Sequence, residues 1–160
     1  MKKKLVYLLP VLFFLVAACD QDNVFNDAEQ LRIDIELIEN YLSQNNLVAD
    51  TLQPSQMRIL VTQEGSGPKP GFGSSLIVDY RGYLLDGTEF DSSIGLEAID
   101  VVLGRGDVIQ GWEIGLRELN AGSIATLFIP SALGYGNNRQ GAFIAPNTVL
   151  LFDVEILDVR

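Results

Sequence analysis

Apolar residues recur at two different spacings along the chain, and the change of spacing separates a helical segment from a region of strands. From about Ala28 to Asn45 they recur every three or four residues, which is the spacing of a helix with one apolar face. The polar residues 20–27 before this segment predict a flexible tether, and residues 45–55 after it predict a linker. A helix that packs on the following domain, or spaces it from a membrane, is favoured over a helix that binds a partner. The apolar positions of this helix are Leu31, Ile35, Ile38 and Leu42.

From Gln56 onward, apolar and polar residues alternate, which predicts β-strands. In LIVDYRGYLL, Leu76, Val78 and Tyr80 share one face, whereas Asp79 and Arg81 lie on the other. The sequence DG that follows is typical of a hairpin turn. Further strands are predicted in the segments MRILVTQ, EAIDVVLG, SIATLFIP and NTVLLFDVEILDV.

One segment between the strands, VIQGWEIGLREL, has helical spacing and places Trp112, Leu116 and Leu119 on one side. Strands that follow one another in sequence, together with a single helix, are typical of an α+β fold. We therefore predict about five antiparallel strands in a sheet that curls around this short helix. A nucleotide-binding loop is disfavoured, because Gly104-Arg105-Gly106 lacks a third glycine before a helix.

The first eighteen residues predict a secretory signal peptide. Met1 to Lys4 is a basic region, Leu5 to Leu15 is an apolar run, and residues 16–18 form a small-residue cleavage site. The alternative is a transmembrane anchor, but a membrane span needs roughly 20 apolar residues and this run is shorter. Removal of the signal takes away three lysines and leaves 8 basic against 21 acidic residues, so the net charge changes from −10 to −13.

The end of the signal, Leu15-Val16-Ala17-Ala18-Cys19, resembles the bacterial lipobox. The resemblance implies that Cys19 becomes the acylated first residue of the mature protein, and two or more acyl chains suffice for stable anchoring. Cys19 is the only cysteine, so no internal disulfide can form. We expect a signal peptide at 1–18, a lipidated tether with one helix at 19–55, and a globular domain at 56–160. The expected location is the bacterial cell envelope, facing the periplasm or the cell surface.

Composition excludes several classes of function. A strongly acidic protein lacks the basic surface that nucleic acid requires, so no nucleic-acid partner is expected. The chain has no histidine, which excludes Ser-His and Cys-His pairs and imidazole metal sites. Lys69, the one lysine of the mature chain, lies between two prolines, an unfavourable place for a catalytic amine. We therefore expect a function without covalent chemistry, and we expect no metal site.

Four motifs occur in a fixed order: VDYRGYLLDGTEFDSS, VLGRGDVIQGWEIGLREL, LGYGNN and IAPNTVLLFDVEIL. This order resembles the FK506-binding protein (FKBP) family of peptidyl-prolyl cis-trans isomerases, over about Gln56 to Arg160. The resemblance implies a five-stranded antiparallel half-barrel wrapped around a short helix. It also implies that X-Pro bonds of exported proteins are the substrate, that FK506-like macrolides are possible ligands, and that no cofactor takes part. The default oligomeric state is a monomer.

The resemblance also implies site residues. The backbone at Val108 and Ile109 would receive substrate, Trp112 would form the floor, and the Tyr135 hydroxyl would bind a carbonyl. The expected catalytic residues are Asp91, Tyr135 and Phe152, and the expected substrate-binding residues are Tyr80, Phe90, Ile99, Val108, Ile109, Trp112, Phe143 and Ile144.

Three positions depart from the family pattern. Ile99 replaces a common aromatic residue, residues 94–98 offer no arginine to pair with Asp91, and Gln140 replaces a frequent histidine. Affinity for macrolides and sequence preference depend on these positions.

Alternatives remain open at two points. Asp91 either lies at the pocket wall, where it orients donors and biases a carbonyl, or caps the turn at Ser92-Ser93. The domain is either an isomerase, an FKBP-like binding module or chaperone with little turnover, or a structural lipoprotein. A large exposed apolar surface beyond the pocket favours the second function, and a pocket filled by its own side chains favours the third.

Overall fold

A computed structural model describes residues 21–160, with side chains from residue 27 onward. The predicted signal peptide and Cys19 lie outside the described residues. Two α-helices, two 3₁₀ turns and seven strands follow one another: α1 Gln21–Gln44, β1 Asp50–Leu52, β2 Met57–Gln63, β3 Ser75–Tyr83, β4 Glu89–Ser92, β5 Ile99–Val102, α2 Gln110–Gly115, a 3₁₀ turn Leu116–Glu118, β6 Ile124–Ile129, a second 3₁₀ turn Ser131–Leu133, and β7 Leu150–Val159. Neither described helix is both long and apolar enough to cross a bilayer.

The seven strands form one antiparallel sheet, as predicted. Its order is β1-β2-β6-β7-β3-β4, and β5 also pairs with β3. The strand count exceeds the predicted five because two short strands join the edges. A tight turn follows Asp50–Leu52, and the three residues pair with Met57–Ile59 beyond it. The prediction of a linker is therefore wrong for Asp50–Leu52. Their strand depends on pairing with the edge of β2, which their own composition does not indicate.

The inner face of the sheet packs on α2. Trp112, Leu116 and Leu119 are all buried against it, as the helical spacing predicts. The close approach requires Gly115, because a Cβ there would lie 2.8 Å from both terminal methyl carbons of Leu127. α2 therefore packs directly against the sheet and holds the Trp112 ring on the concave side.

The outer face of the sheet is covered at one end by α1. Ile38 and Leu42 pack with Phe128 and Leu151 in a second apolar cluster. The helix therefore packs on the domain. It begins at Gln21, so residues 21–27, predicted as a flexible tether, are helical; no glycine or proline interrupts residues 21–44.

Candidate active site

Four aromatic rings from four elements meet on the concave side of the sheet. The Trp112 ring meets the rings of Tyr80 and Phe152 edge-on, with centroids 5.2 Å apart in each pair. Phe152 also meets Phe90 edge-on at 5.5 Å. Gly82 faces Phe152 across the β3–β7 ladder, and a Cβ at Gly82 would lie 2.7–2.8 Å from the Phe90 and Phe152 rings. Phe152 is the ring that contacts all the others, and such edge-to-face contacts fix ring orientation.

These rings border a cavity of about 340 Å³ that opens to solvent. Its size is within the range of small-ligand sites. Eight of the predicted site residues line it, together with Asp107, which the sequence analysis missed. The lining residues are Tyr80, Asp91, Ile99, Asp107, Val108, Ile109, Trp112, Tyr135 and Phe152.

Three predicted residues do not line this cavity. Phe90 packs edge-on against Phe152 and borders an adjoining acidic groove of about 980 Å³, which shares Tyr80 and Asp91 with the cavity. Phe143 is 62% exposed, whereas its neighbour Ile144 is buried in the core. The backbones of Gln140 and Ile144 pair in a tight turn, and the alternation of side chains directs one residue outward and the next inward.

Asp91 lies at the exposed rim of the cavity and accepts two hydrogen bonds. Its Oδ2 accepts from the Tyr80 hydroxyl at 2.8 Å, and its Oδ1 accepts from the Ser92 backbone N–H at 3.0 Å. The carboxylate thus contacts both the pocket wall and the turn, so the geometry is compatible with both roles considered for it. Among the side chains of residues 27–160, the ion pairs do not include Asp91.

The two tyrosine hydroxyls at the cavity keep their protons at physiological pH. Burial, together with the hydrogen bond to Asp91, raises the pKa of Tyr80 to about 12. Burial, and then the negative charge of Asp91, also raise the pKa of Tyr135. Within the described part of the chain, the Tyr135 hydroxyl donates no hydrogen bond to another residue, so it is available as a donor to a bound molecule.

The loop before α2 forms the opposite rim and is held in place by α2. The Glu113 carboxylate accepts from the backbone N–H groups of Gly104, at 2.8 and 3.0 Å, and of Gly106. Ile109 has an extended backbone, and its carbonyl accepts from the Trp112 N–H at 3.0 Å. This loop also carries Asp107. The local sequence gives no reason to separate Asp107 from other exposed acids, so only the folded loop identifies it.

The floor of the cavity carries one unusual polar group. The indole Nε1 of Trp112 is buried and makes no hydrogen bond within residues 27–160, whose side chains the structure describes. No group of three or more metal-binding side chains occurs in that part of the chain. The arrangement therefore offers an aromatic floor with one buried N–H donor, two tyrosine hydroxyls, and the carboxylates of Asp91 and Asp107 at the rim. It can bind a small apolar ring and hydrogen-bond a carbonyl beside it.

Comparisons with known proteins agree with this geometry. Residues 67–157 match the model of the family described as FKBP-type peptidyl-prolyl cis-trans isomerase. An FK506-binding protein of Neisseria meningitidis serogroup B is 41% identical over 98 residues, which is 61% of this chain and 90% of that protein. The outer membrane protein MIP of Legionella longbeachae is 37% identical over 109 residues, which is 67% of this chain but only 46% of that protein.

A solved structure extends the similarity beyond the residues of the family model. The crystal structure of FkpA from Escherichia coli matches with a TM-score of 0.69 and 32% identity, over 88% of this chain. The chain spans 64% of the length of that solved chain.

Proposed function

This chain belongs to the FKBP-type peptidyl-prolyl cis-trans isomerase family and is a peptidyl-prolyl isomerase; on that premise we propose how its cavity works and where it acts. The cavity binds the proline of a client polypeptide and accelerates rotation about the preceding amide bond. The clients are proteins exported to the bacterial envelope, and the isomerase acts as a monomer. The observation that carries this mechanism is the common cavity bordered by Trp112, Phe152 and Tyr135.

The reaction is a rotation and requires no nucleophile. An amide resists rotation by ~18–20 kcal/mol because resonance keeps it planar, so an X-Pro bond switches over tens to hundreds of seconds. Resonance places negative charge on the carbonyl oxygen, and water stabilises that planar, polar form more than the twisted form. An apolar cavity removes this preference. Each ~1.4 kcal/mol gained by the twisted form gives a tenfold higher rate.

The cavity residues divide this work between them. The rings of Tyr80, Trp112 and Phe152 surround the proline ring and exclude water. The Tyr135 hydroxyl donates a hydrogen bond to a peptide carbonyl and so fixes the chain beside the rotating bond. Asp91 holds the Tyr80 hydroxyl and adds negative potential at the rim, without transferring a proton. Because these contacts fit the twisted amide better than the planar one, they lower the free-energy barrier to rotation.

The other two functions considered from the sequence are less well supported. The cavity is open and is not filled by the protein's own side chains, which argues against a purely structural lipoprotein. The aromatic rings and the Tyr135 donor are all in place, which favours turnover over passive binding.

The hydroxyl of Tyr135 provides a direct test of this mechanism. Tyr135→Phe keeps the ring but removes one hydrogen bond, whose net value is about 0.5–1.5 kcal/mol, so kcat/KM should fall about two- to tenfold. The measurement is cis-trans exchange of a short X-Pro peptide by NMR.

The matched control is Tyr83→Phe. The Tyr83 hydroxyl donates to Asp153 on the opposite face of the sheet, at 2.9 Å, so its loss should leave kcat/KM unchanged. Wild-type activity in Tyr135→Phe would contradict the proposed carbonyl contact.

Anchoring to a membrane through Cys19 is the second part of the proposal. It is supported by the lipobox-like end of the signal and by the similarity to a relative named as an outer membrane protein. We expect the wild-type protein, expressed in bacteria, to sediment with membranes and to release into detergent. Cys19→Ser should leave the protein in the soluble fraction with unchanged isomerase activity, because Cys19 precedes the family domain. A Cys19→Ser protein that still sediments with membranes would contradict lipid anchoring at this residue.

A further inference from the structure

α1 carries a charged side chain in the middle of its buried face. Asp34 is 0% exposed, four residues before the buried Ile38. Its Oδ2 accepts from the Ser131 backbone N–H at 2.7 Å and from the Ser131 hydroxyl at 2.6 Å. Its Oδ1 accepts from Gln30 Nε2 at 2.8 Å. The ion pairs of α1 within the described residues involve its other acidic side chains, so Asp34 has no cationic partner there. A buried carboxylate without a cation depends on its hydrogen bonds, and these bonds therefore fix Asp34 and Ser131 to each other.

Ser131 in turn holds the loop that carries Tyr135. Its carbonyl accepts from the Gly134 N–H at 2.9 Å and from the Gly136 N–H at 2.8 Å. These glycines lie on either side of Tyr135. The carbonyl of Gly136 accepts from the Asn147 N–H at 2.8 Å, which fastens the far end of the loop. One residue, Ser131, thus connects the buried carboxylate of α1 to the backbone on both sides of the cavity's free hydroxyl.

We propose that Asp34 is a positioning residue for the isomerase cavity. Its carboxylate holds Ser131, Ser131 holds the backbone around Tyr135, and the Tyr135 hydroxyl is thereby held in place over the bound peptide. The inference rests on the role of Tyr135 proposed above. α1 thereby contributes to catalysis, because a binding group that is displaced from its productive position loses part of its contribution to the rate.

A second contact of the same helix provides the matched control. Glu39 accepts from Nε of the nearly buried Arg58 at 2.7 Å and so fastens α1 to β2. In the described structure, Glu39 makes no hydrogen bond to residues 131–136. Glu39→Gln therefore weakens the docking of α1 without touching the support of Tyr135.

The test measures kcat and KM separately in the full mature chain. Because Asp34 acts through Tyr135, its effect cannot exceed that of Tyr135→Phe, so Asp34→Ala should lower kcat by about three- to fivefold with little change in KM. Asp34→Asn should show a smaller loss, since its amide oxygen can still accept from Ser131. Glu39→Gln should keep wild-type kcat. In a Tyr135→Phe background, Asp34→Ala should cause no further loss, as expected for two residues that act as a unit.

Amide hydrogen exchange at Gly134 and Gly136 supplies a readout that does not depend on activity. It should become faster in Asp34→Asn and Asp34→Ala, and should stay unchanged in Glu39→Gln. If the alanine variant does not fold, the asparagine variant provides both measurements.

Three results would overturn the inference while leaving the proposed function intact. These are equal losses of kcat on the wild-type and Tyr135→Phe backgrounds, equal losses in the Asp34 and Glu39 variants, or unchanged exchange at the two glycines. An inactive wild-type protein would instead refute the proposed function itself. The two failures are therefore distinguishable.

Discussion

Phe152→Leu is expected to lower kcat/KM for X-Pro isomerisation at least about tenfold. Phe152 contacts Tyr80, Phe90 and Trp112 and forms one wall of the cavity. Leucine keeps an apolar side chain at the site but removes the ring edge and face that orient the other rings. Aromatic pairs contribute about 0.5–1.5 kcal/mol each beyond their buried area. Without these pairs the remaining rings are no longer held in the orientation that fits the twisted amide, and a loss of about 1.4 kcal/mol in transition-state binding gives a tenfold lower rate. The measurement is kcat/KM by NMR exchange, at a temperature where the variant is fully folded.

Phe128→Leu is the control for this prediction. Phe128 is also a buried phenylalanine of the sheet, but it lies on the outer face beneath α1 and packs with Tyr41. Each substitution should destabilise the protein by about 1–3 kcal/mol, as is usual for a buried site. Only Phe152→Leu should lose activity beyond the fraction that is unfolded. If both variants lost the same share of activity, Phe152 would be acting through stability and would not be part of the cavity's chemistry.

Leu127→Ala is expected to have the largest effect on stability, about 2–5 kcal/mol in the free energy of unfolding. Leu127 is fully buried in β6, where its methyl groups fill the space that Gly115 leaves beneath α2. Alanine would leave a cavity directly under the helix that positions Trp112. Urea unfolding followed by the fluorescence of Trp112, the only tryptophan, measures the loss.

Leu157→Ala makes the same chemical change on β7, where the side chain is 46% exposed. The expected loss there is about 1 kcal/mol or less, because little packing is removed. Similar losses at Leu127 and Leu157 would contradict the close packing of α2 on the sheet.

The sequence predicts best those elements whose side chains alternate between core and solvent. The segment MRILVTQ corresponds to β2 residue for residue, and the spacing of Trp112, Leu116 and Leu119 places α2 and the following turn correctly. In these segments the local pattern and the tertiary burial require the same residues, so the pattern is sufficient.

Elements that depend on distant partners are less predictable. β1 forms because Asp50–Leu52 reach the edge of β2, and nothing in their composition indicates a strand. Asp34 is the clearest example of a residue that sequence reasoning missed. The sequence does place Asp34 on the apolar face of the helix, four residues before Ile38 and eight before Leu42. The role of a carboxylate on that face can be assigned only when the fold shows that Ser131 lies opposite and donates to it.

The cavity also depends on contacts between distant parts of the chain, which the local sequence pattern does not predict. Alternation shows that Tyr80 and Phe152 face inward, but their meeting with Trp112 depends on the curvature of the sheet and the depth of α2. That convergence could be expected only from the resemblance to a family. The resemblance did not distinguish Phe143 from Ile144. A local turn sets the directions of their side chains, so that Phe143 is exposed to solvent and Ile144 is buried in the core.

The most direct test of the central claim is NMR exchange spectroscopy on a short X-Pro peptide with catalytic amounts of the folded protein. The claim is that the aromatic cavity around Trp112 lowers the barrier to rotation of the amide. We predict cis-trans exchange that grows in proportion to enzyme concentration, with peptide-dependent shifts confined to resonances of the cavity. A correctly folded protein that leaves the exchange rate equal to that in buffer would contradict the claim.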